Sequence, residues 1–523
     1  MKKLLAWIGE NKIEFALLFL ILSTAAFLRL WRIADFMTFL GDEGRDVIVV
    51  KNLLTRGDLI FIGPTTSVGN MYLGPLYYYL MAPFLALWRL DPVGPAVMVT
   101  LIGIATVFLV YLAGRLFFAK EVGLFASALY AISPIPIIYS RSSWNPNPMP
   151  FFALLIVLFL YLMIKSRNYW WLVGIGGSLA FAVQMHYLGV LLIPLVAIIW
   201  LAILVKNVKQ RLPLKKFFLS TLASILLFSI LMSPLLIFDL NPAHRFLNYN
   251  AFKKFFLERQ ATEEHLATIN LNPFNALGRF LPRYESFFTR FITAKQEFPG
   301  KLATAAATFA LAWTAFIAFR QKKANIGLTI LGLWLAIGIF GISLYQLEVF
   351  DHYFGFINPA AFLFCGLFLW LLYRQNLWLR LASIAIFASL VFLNFQNLPI
   401  RGEPNRQLSR TKAIAREIIK SSFGKSYNFA LIAQNNYDDA YEYFLDLYGH
   451  QATVIDNQHL GETITDQLFV VCEDPICQPL GYPKWEVAGF GKKKGLAEIE
   501  KEWDFAGVKL FKLIHNLKLQ FLG

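Results

Sequence analysis

About eleven apolar stretches dominate the chain, near 15–33, 93–113, 122–139, 149–164, 169–185, 187–205, 217–238, 302–319, 325–345, 354–373 and 377–394. Each runs for roughly 17–22 residues, the length a helix needs to cross a hydrocarbon core about 30 Å thick. Backbone polar groups in lipid must be satisfied within their own segment, so such a chain has one helical solution, a bundle of transmembrane helices. The 57% hydrophobic content and mean hydropathy of +0.54 agree. The predicted fold class is therefore an α-helical polytopic membrane protein.

The net charge of +15 belongs to this pattern and is no nucleic-acid signal. Lys2, Lys3 and Lys12 precede the first stretch, and Arg115 and Lys120 follow the second. Lys165, Arg167, Lys206, Lys209, Arg211, Lys215, Lys216, Arg320, Lys322, Lys323, Arg374 and Arg380 fall in later alternate links. All lie on one side if every stretch spans, and that side is expected to be the cytoplasm. The opposite short turns, near 141–147, 186 and 346–353, carry only Arg141. The first stretch lacks a small-residue cleavage site and reads as a retained anchor. The expected placement is the plasma (inner) membrane, with the N-terminus inside and the tail outside.

Three segments then lie outside. The first, about 34–92, includes an apolar, aromatic part from Gly74 to Trp88 that suits helices lying in the interface. The second, about 239–300, mixes cations with Phe and Leu. The third is the tail. Asn428–Gln434, Asp466–Glu473 and Val508–Leu513 read as strands, and Ala440–Tyr448 has helical spacing. The chain thus divides into a transmembrane domain over 1–395 and a small extracytoplasmic α/β domain over 396–523. Cys472 and Cys477 suit a disulfide in an oxidising compartment, or two separate thiols.

Charge at the outer face is concentrated in Gly41-Asp42-Glu43-Gly44-Arg45-Asp46, just past the first stretch. A carboxylate there can act as general base toward an acceptor hydroxyl. Asp42 also suits the N-cap of a helix from about Glu43 to Arg56. Asp42, Arg45 and Asp46 share a helix face, so Arg45 suits either a phosphate or an internal ion pair. The turn after 139 holds Arg141, whose fork fits a phosphate, Trp144, whose flat face fits a sugar or isoprenoid, and Asn145. An aromatic-belt Trp beside a snorkelling Arg is the plainer alternative. His186, and His352 with Tyr353 beside Glu348 and Asp351, end up at the same face. The loop at 239–300 adds Arg245, Arg259, Arg279 and Arg283, for lipid headgroups or a departing phosphate. The seven His show no zinc-type spacing, and no Gly-rich phosphate loop, Asp-x-Asp pair or Ser–His motif is present. No metal ligand is assigned and no cofactor is certain; a divalent metal stays open without a motif that indicates one.

The first stretch ends in Arg-Leu-Trp-Arg and is followed by Asp42-Glu43, Gly-Pro-Leu-Tyr-Tyr at 74–78, Arg-x-x-Trp-Asn-x-x-Pro at 141–148 and His-Tyr at 352–353. This arrangement resembles the glycosyltransferase C superfamily, nearest the branch of dolichyl-phosphate-mannose protein mannosyltransferases and lipid A aminoarabinose transferase. The resemblance covers about 15–394. It implies a polyprenyl-phosphate-linked sugar donor, inverting transfer on the outer side to a lipid, glycan or protein acceptor, and Asp42 as base. Glu43 joins Asp42 as the candidate catalytic pair. Arg45, Arg141, Arg283 and His352 are the candidate phosphate ligands, and Trp144, Asn145, His186 and Tyr353 the candidate substrate lining. Two departures stand out: the turn at 141–148 has Asn145 and Asn147 but no carboxylate, and the tail is unlike the β-trefoil module of the protein mannosyltransferases. A multi-pass lipid or polysaccharide transporter is the rival reading, but it calls for charges at mid-membrane depth. A structural membrane subunit whose outer domain binds a partner is a third.

Overall fold

A computed structural model describes residues 8–66, 71–254, 272–474, 476–493 and 497–515. It forms two compact units. One gathers residues up to Trp31, Asp58–Phe84 and Gly94–Glu403; the other gathers Arg32–Gly57, Leu85–Val93 and the chain from Pro404 onward.

The first unit is helical. Among the described residues eight helices are long and apolar enough to span: Lys12–Leu30, Val93–Phe117, Met149–Ser166, Tyr187–Lys209, Lys215–Leu240, Glu297–Arg320, Ile326–Ser343 and Leu377–Gln396. Two expected spans are shorter, Trp171–Met185 and Asn358–Tyr373. The stretch at 122–139 is broken into Lys120–Ile132 and Pro134–Tyr139. Proline removes a backbone donor and clashes with the preceding turn, so Pro134 opens a new helix instead of extending the old one. The carbonyls exposed at this break are used. Buried Arg29 donates Nη1 to Ala131 O at 2.8 Å and Nη2 to Tyr130 O at 3.3 Å. Ser133 Oγ donates to Phe291 O at 2.7 Å.

Bundle helices approach through small residues, as expected where apolar burial gives no net drive between lipid-soluble surfaces. A Cβ on Gly114 would sit 2.6 Å from Gly123 Cα, so a larger residue there would push the two helices apart. The one acid of the first span, Glu14, is buried and accepts from Arg115 Nε at 2.8 Å and from Tyr111 Oη at 2.5 Å. The segment at 239–300 contains a 20-residue helix, Pro273–Ile292, started by the Asn272 side chain accepting from Phe274 N at 3.0 Å. Its Phe287, Phe288, Phe291 and Ile292 are buried, whereas Arg279, Arg283 and Arg290 are only part-buried.

The second unit is α/β. Four strands, β1 (Asn428–Ile432), β2 (Gln467–Cys472), β3 (Ala497–Phe505) and β4 (Val508–His515), lie in the order β1-β2-β4-β3. β1 and β2 are parallel and buried along their whole lengths, as strands covered on both faces must be. The helix Trp485–Lys493 contributes Val487 and Phe490 to a core with Ala430, Ile432, Leu468, Val470, Phe511 and Leu513. Gly41–Arg56, Gln407–Ser422 and Asp439–Leu447 are further helices of this unit. Phe429 of β1 packs on Tyr441 at 5.9 Å between ring centres. Cys472 and Cys477 are joined as a disulfide.

Candidate active site

The acidic corner is built into the second unit. A helix runs Gly41–Arg56 with Leu40 as its N-cap, so Asp42 is not the cap and lies in the first turn. Glu43 reaches back to accept the Leu40 N–H at 3.0 Å, the reciprocal half of a capping box. The Gly41 N–H donates to Asn436 Oδ1 at 2.8 Å, and Asn436 Nδ2 donates to Glu473 at 2.9 Å. Gly44 is pressed on the Asp439–Leu447 helix; a Cβ there would fall 2.2 Å from Ala440 N. Lys51 pairs with Asp446 in the second half of the helix, and the Phe39 ring packs tilted on Phe444 at 5.6 Å between centres.

Three carboxylates in this corner have three different environments. Glu43 is buried, and burial lifts its carboxyl to about 7, helped by the charges of Asp42 and Asp46. Asp46 is fully buried, with Oδ1 receiving Arg45 Nε at 3.0 Å and Nη2 at 2.8 Å. Asp42 keeps 38% of its side chain exposed and receives only Arg45 Nη1, at 2.9 Å on Oδ1. Its Oδ2 has no hydrogen bond among the described residues. Arg45 is thus spent on two aspartates, the internal pairing that the helical spacing allowed. Asp439 lies in the field of Asp42 and Arg45, and burial raises its carboxyl.

His186 and His352 come together in the first unit. His352 stands 4.6 Å from the Trp144 ring, 4.6 Å from Tyr353 and 5.7 Å from His186. His186 lies 5.5 Å from Tyr353, and its Nδ1 accepts the Leu188 N–H at 3.2 Å. Burial depresses both imidazoles, His352 to about 4 and His186 to about 3. They are neutral at pH 7, able to donate or accept one proton but not to supply charge to a phosphate. Next to them Asp351 receives Arg290 Nη1 at 2.5 Å and Lys295 Nζ at 2.8 Å. These residues line a cavity of about 820 Å³ with Tyr139, Glu285, Lys301 and Glu348.

The remaining candidates are placed as follows. Arg141 is buried, and its Nη1 and Nη2 donate to Leu28 O at 2.6 Å and Trp31 O at 2.8 Å. It closes the C-terminus of the first span, where carbonyls lack intrahelical partners. Asn145 is also buried and donates to Met185 O at 2.7 Å, tying its turn to the end of the Trp171–Met185 helix. Arg283 donates to Leu347 O at 2.8 Å and Arg279 to Ser343 O at 2.8 Å. Arg245 is exposed in a left-handed turn. Arg259 lies outside the described residues. Trp144, His186, His352 and Tyr353 are brought together. Arg290 and Lys295 were not singled out from sequence; the acid beside His352 was the one hint that a cation would meet it.

Residues 73–238 match the family model described as dolichyl-phosphate-mannose-protein mannosyltransferase. The chain is similar in structure to ArnT from Cupriavidus metallidurans bound to undecaprenyl phosphate, with 14% identity, 97% of this chain and 98% of that chain covered, and a TM-score of 0.59. The fold is the GT-C fold. Archaeal oligosaccharyltransferase AglB from Archaeoglobus fulgidus, in complex with an inhibitory peptide and a dolichol-phosphate, shares it at 12% identity, 89% and 70% coverage and a TM-score of 0.54. A structure of the Archaeoglobus fulgidus oligosaccharyltransferase tethered to an acceptor peptide is similar at 12% identity, 89% and 69% coverage and a TM-score of 0.55. No curated protein matches the chain by sequence. The family-model segment includes Arg141, Trp144, Asn145 and His186; Asp42 precedes it, and His352 follows it.

Proposed function

We propose that this GT-C chain transfers a sugar from a polyprenyl-phosphate carrier to an acceptor hydroxyl on the extracytoplasmic face, with inversion. The acceptor oxygen attacks the anomeric carbon, the bond from that carbon to the phosphate oxygen breaks, and the polyprenyl phosphate leaves as an anion. The hydroxyl proton goes to Asp42. A phosphate is a good leaving group and needs no acid, so the demands on the protein are a base and fixed polar groups.

The observation that carries this assignment is the contrast within one helical turn. Glu43 is committed to the cap and Asp46 to Arg45, whereas Asp42 keeps one oxygen unbonded and accessible. The likeness to ArnT and AglB, solved with undecaprenyl phosphate and dolichol-phosphate, supports a lipid phosphate as carrier.

In the first unit the 820 Å³ cavity carries Arg290, Lys295 and Lys301 together with Glu285, Glu297, Glu348 and Asp351. Donors and acceptors so mixed suit sugar hydroxyls, each of which both gives and takes a hydrogen bond. Arg290 and Lys295, two cations on one carboxylate, leave positive charge for the phosphate end. Tyr139 and Phe350 line the cavity with flat faces for the sugar ring, while Trp144 and Tyr353 pack on His352. In this reading Arg141 and Asn145 brace turns of the first unit, Arg45 braces Asp42, and none of the three touches the donor. Purified protein incubated with a panel of radiolabelled polyprenyl-phosphate sugars tests the proposal. Label should move to acceptor with release of polyprenyl phosphate. Absence of transfer from every member would remove it.

A further inference from the structure

A second cavity, of about 280 Å³, lies among Met149–Ser166, Tyr187–Lys209 and Ile326–Ser343, toward the helix ends whose links are rich in Lys and Arg. Its walls are apolar, with Met163, Ile199, Ile203, Ile330 and Leu333. Arg167 and Lys206 line it too; both are exposed, and neither has an acidic partner among the described residues. Asn207 also borders it. This side chain is only 3% exposed, its Oδ1 accepts from Tyr169 Oη at 3.1 Å, and its Nδ2 has no partner among the described residues. A buried donor without an acceptor is costly unless a ligand oxygen completes it. The cavity shares no residue with the Asp351 site.

We propose that this cavity binds an anionic two-chain phospholipid of the surrounding membrane. An acyl segment fills the apolar slot, the phosphate rests on Arg167 and Lys206, and an ester oxygen accepts from Asn207. Charge complementarity selects the occupant: an apolar slot alone admits any acyl chain, but two unpaired cations at its mouth favour a net negative headgroup. The preference over a zwitterionic headgroup should be roughly tenfold or more for two such cations.

The test uses the full chain in nanodiscs with phosphatidylglycerol carrying a photoreactive group in its acyl chain, followed by peptide mapping. Labelling is expected at the segments around Ile199–Ile203 and Ile330–Leu333, about tenfold above a matched phosphatidylcholine probe. The double variant Arg167→Gln/Lys206→Gln should abolish that difference while keeping the fold and the transfer activity. Equal labelling by the two probes, or an unchanged preference in the double variant, would overturn the proposal. So would displacement of the probe by stoichiometric polyprenyl phosphate, which would assign the cavity to the carrier lipid.

Discussion

Asn436 accepts the Gly41 N–H at 2.8 Å and fixes the first turn of the helix that carries Asp42. Glu473 holds the Asn436 amide in turn, at 2.9 Å, and also accepts from Tyr441 Oη at 2.6 Å. The α/β unit is therefore a mount for the acidic corner. Asn436→Ala removes an acceptor from a helix N-terminus and should cost about 1 kcal/mol, within the range of lost caps. Thermal unfolding of the purified chain should shift down by a few degrees. An unchanged midpoint would show that the contact does not hold the turn.

Glu43 should make this corner sensitive to pH in one direction. Its carboxyl is raised to about 7 in the folded chain, against 4.5 for the free group. The folded state therefore holds its proton more tightly, and the stability gained is complete below pH 4.5 and lost as pH rises through 7. Glu43→Gln keeps an oxygen for the Leu40 N–H and removes the titration. Denaturant melts between pH 5 and 8 should be flatter for the variant than for the parent chain.

His352 acts in the opposite sense. Burial depresses it to about 4, although Asp351 pulls upward. The unfolded chain binds the proton more readily, so stability is full above about 6.5 and falls as pH drops toward 4. His186 adds to the same trend. His352→Gln should make acid unfolding shallower over that window. A steeper curve would mean that the imidazole is charged in the folded state.

Arg141 should behave as a structural residue. Its Nη1 and Nη2 satisfy two carbonyls at the end of the first span, and charge-assisted contacts of this kind contribute about 1.5–3 kcal/mol each. Arg141→Gln should lower folded yield and melting temperature by the equivalent of several degrees. Donor affinity of the fraction that folds should change less than threefold, read by titration with a polyprenyl-phosphate sugar. A tenfold or larger loss of affinity with an unchanged melt would return Arg141 to the phosphate.

The helical bundle was legible because apolar length is a direct physical demand of the bilayer. The breaks were less so: the stretch at 122–139 reads as one run, yet Pro134 splits it. β1, β2 and β4 stood out as apolar runs. β3 did not, because it is an edge strand with mostly exposed charged residues, which protects against strand addition and erases the apolar signal. The helix Pro273–Ile292 hid among scattered cations, since only one face is buried. At the site, types were readable and assignments were not. Spacing placed Asp42, Arg45 and Asp46 on one face. It did not show that Glu43 is a cap, that Arg141 is turned into the protein, or that Arg290 and Lys295 meet at Asp351. The last two depend on distant partners, 61 residues away for Arg290 and 110 and 113 for Arg141, and the cap, though local, is closed by Glu43 and not by Asp42, which suited it. Nor did the change in composition near 395 show that Arg32–Gly57 is built into the same compact unit as the tail.

The most direct test is the turnover of Asp42→Asn with a polyprenyl-phosphate sugar donor. Asn keeps the shape of the side chain and still offers an oxygen to Arg45, so the helix should remain folded and donor binding should persist. It lacks the basicity needed to accept the acceptor's proton. The account predicts a fall in turnover of about 10²–10⁴-fold at unchanged donor affinity. A folded Asp42→Asn protein that transfers sugar at the parent rate would contradict it.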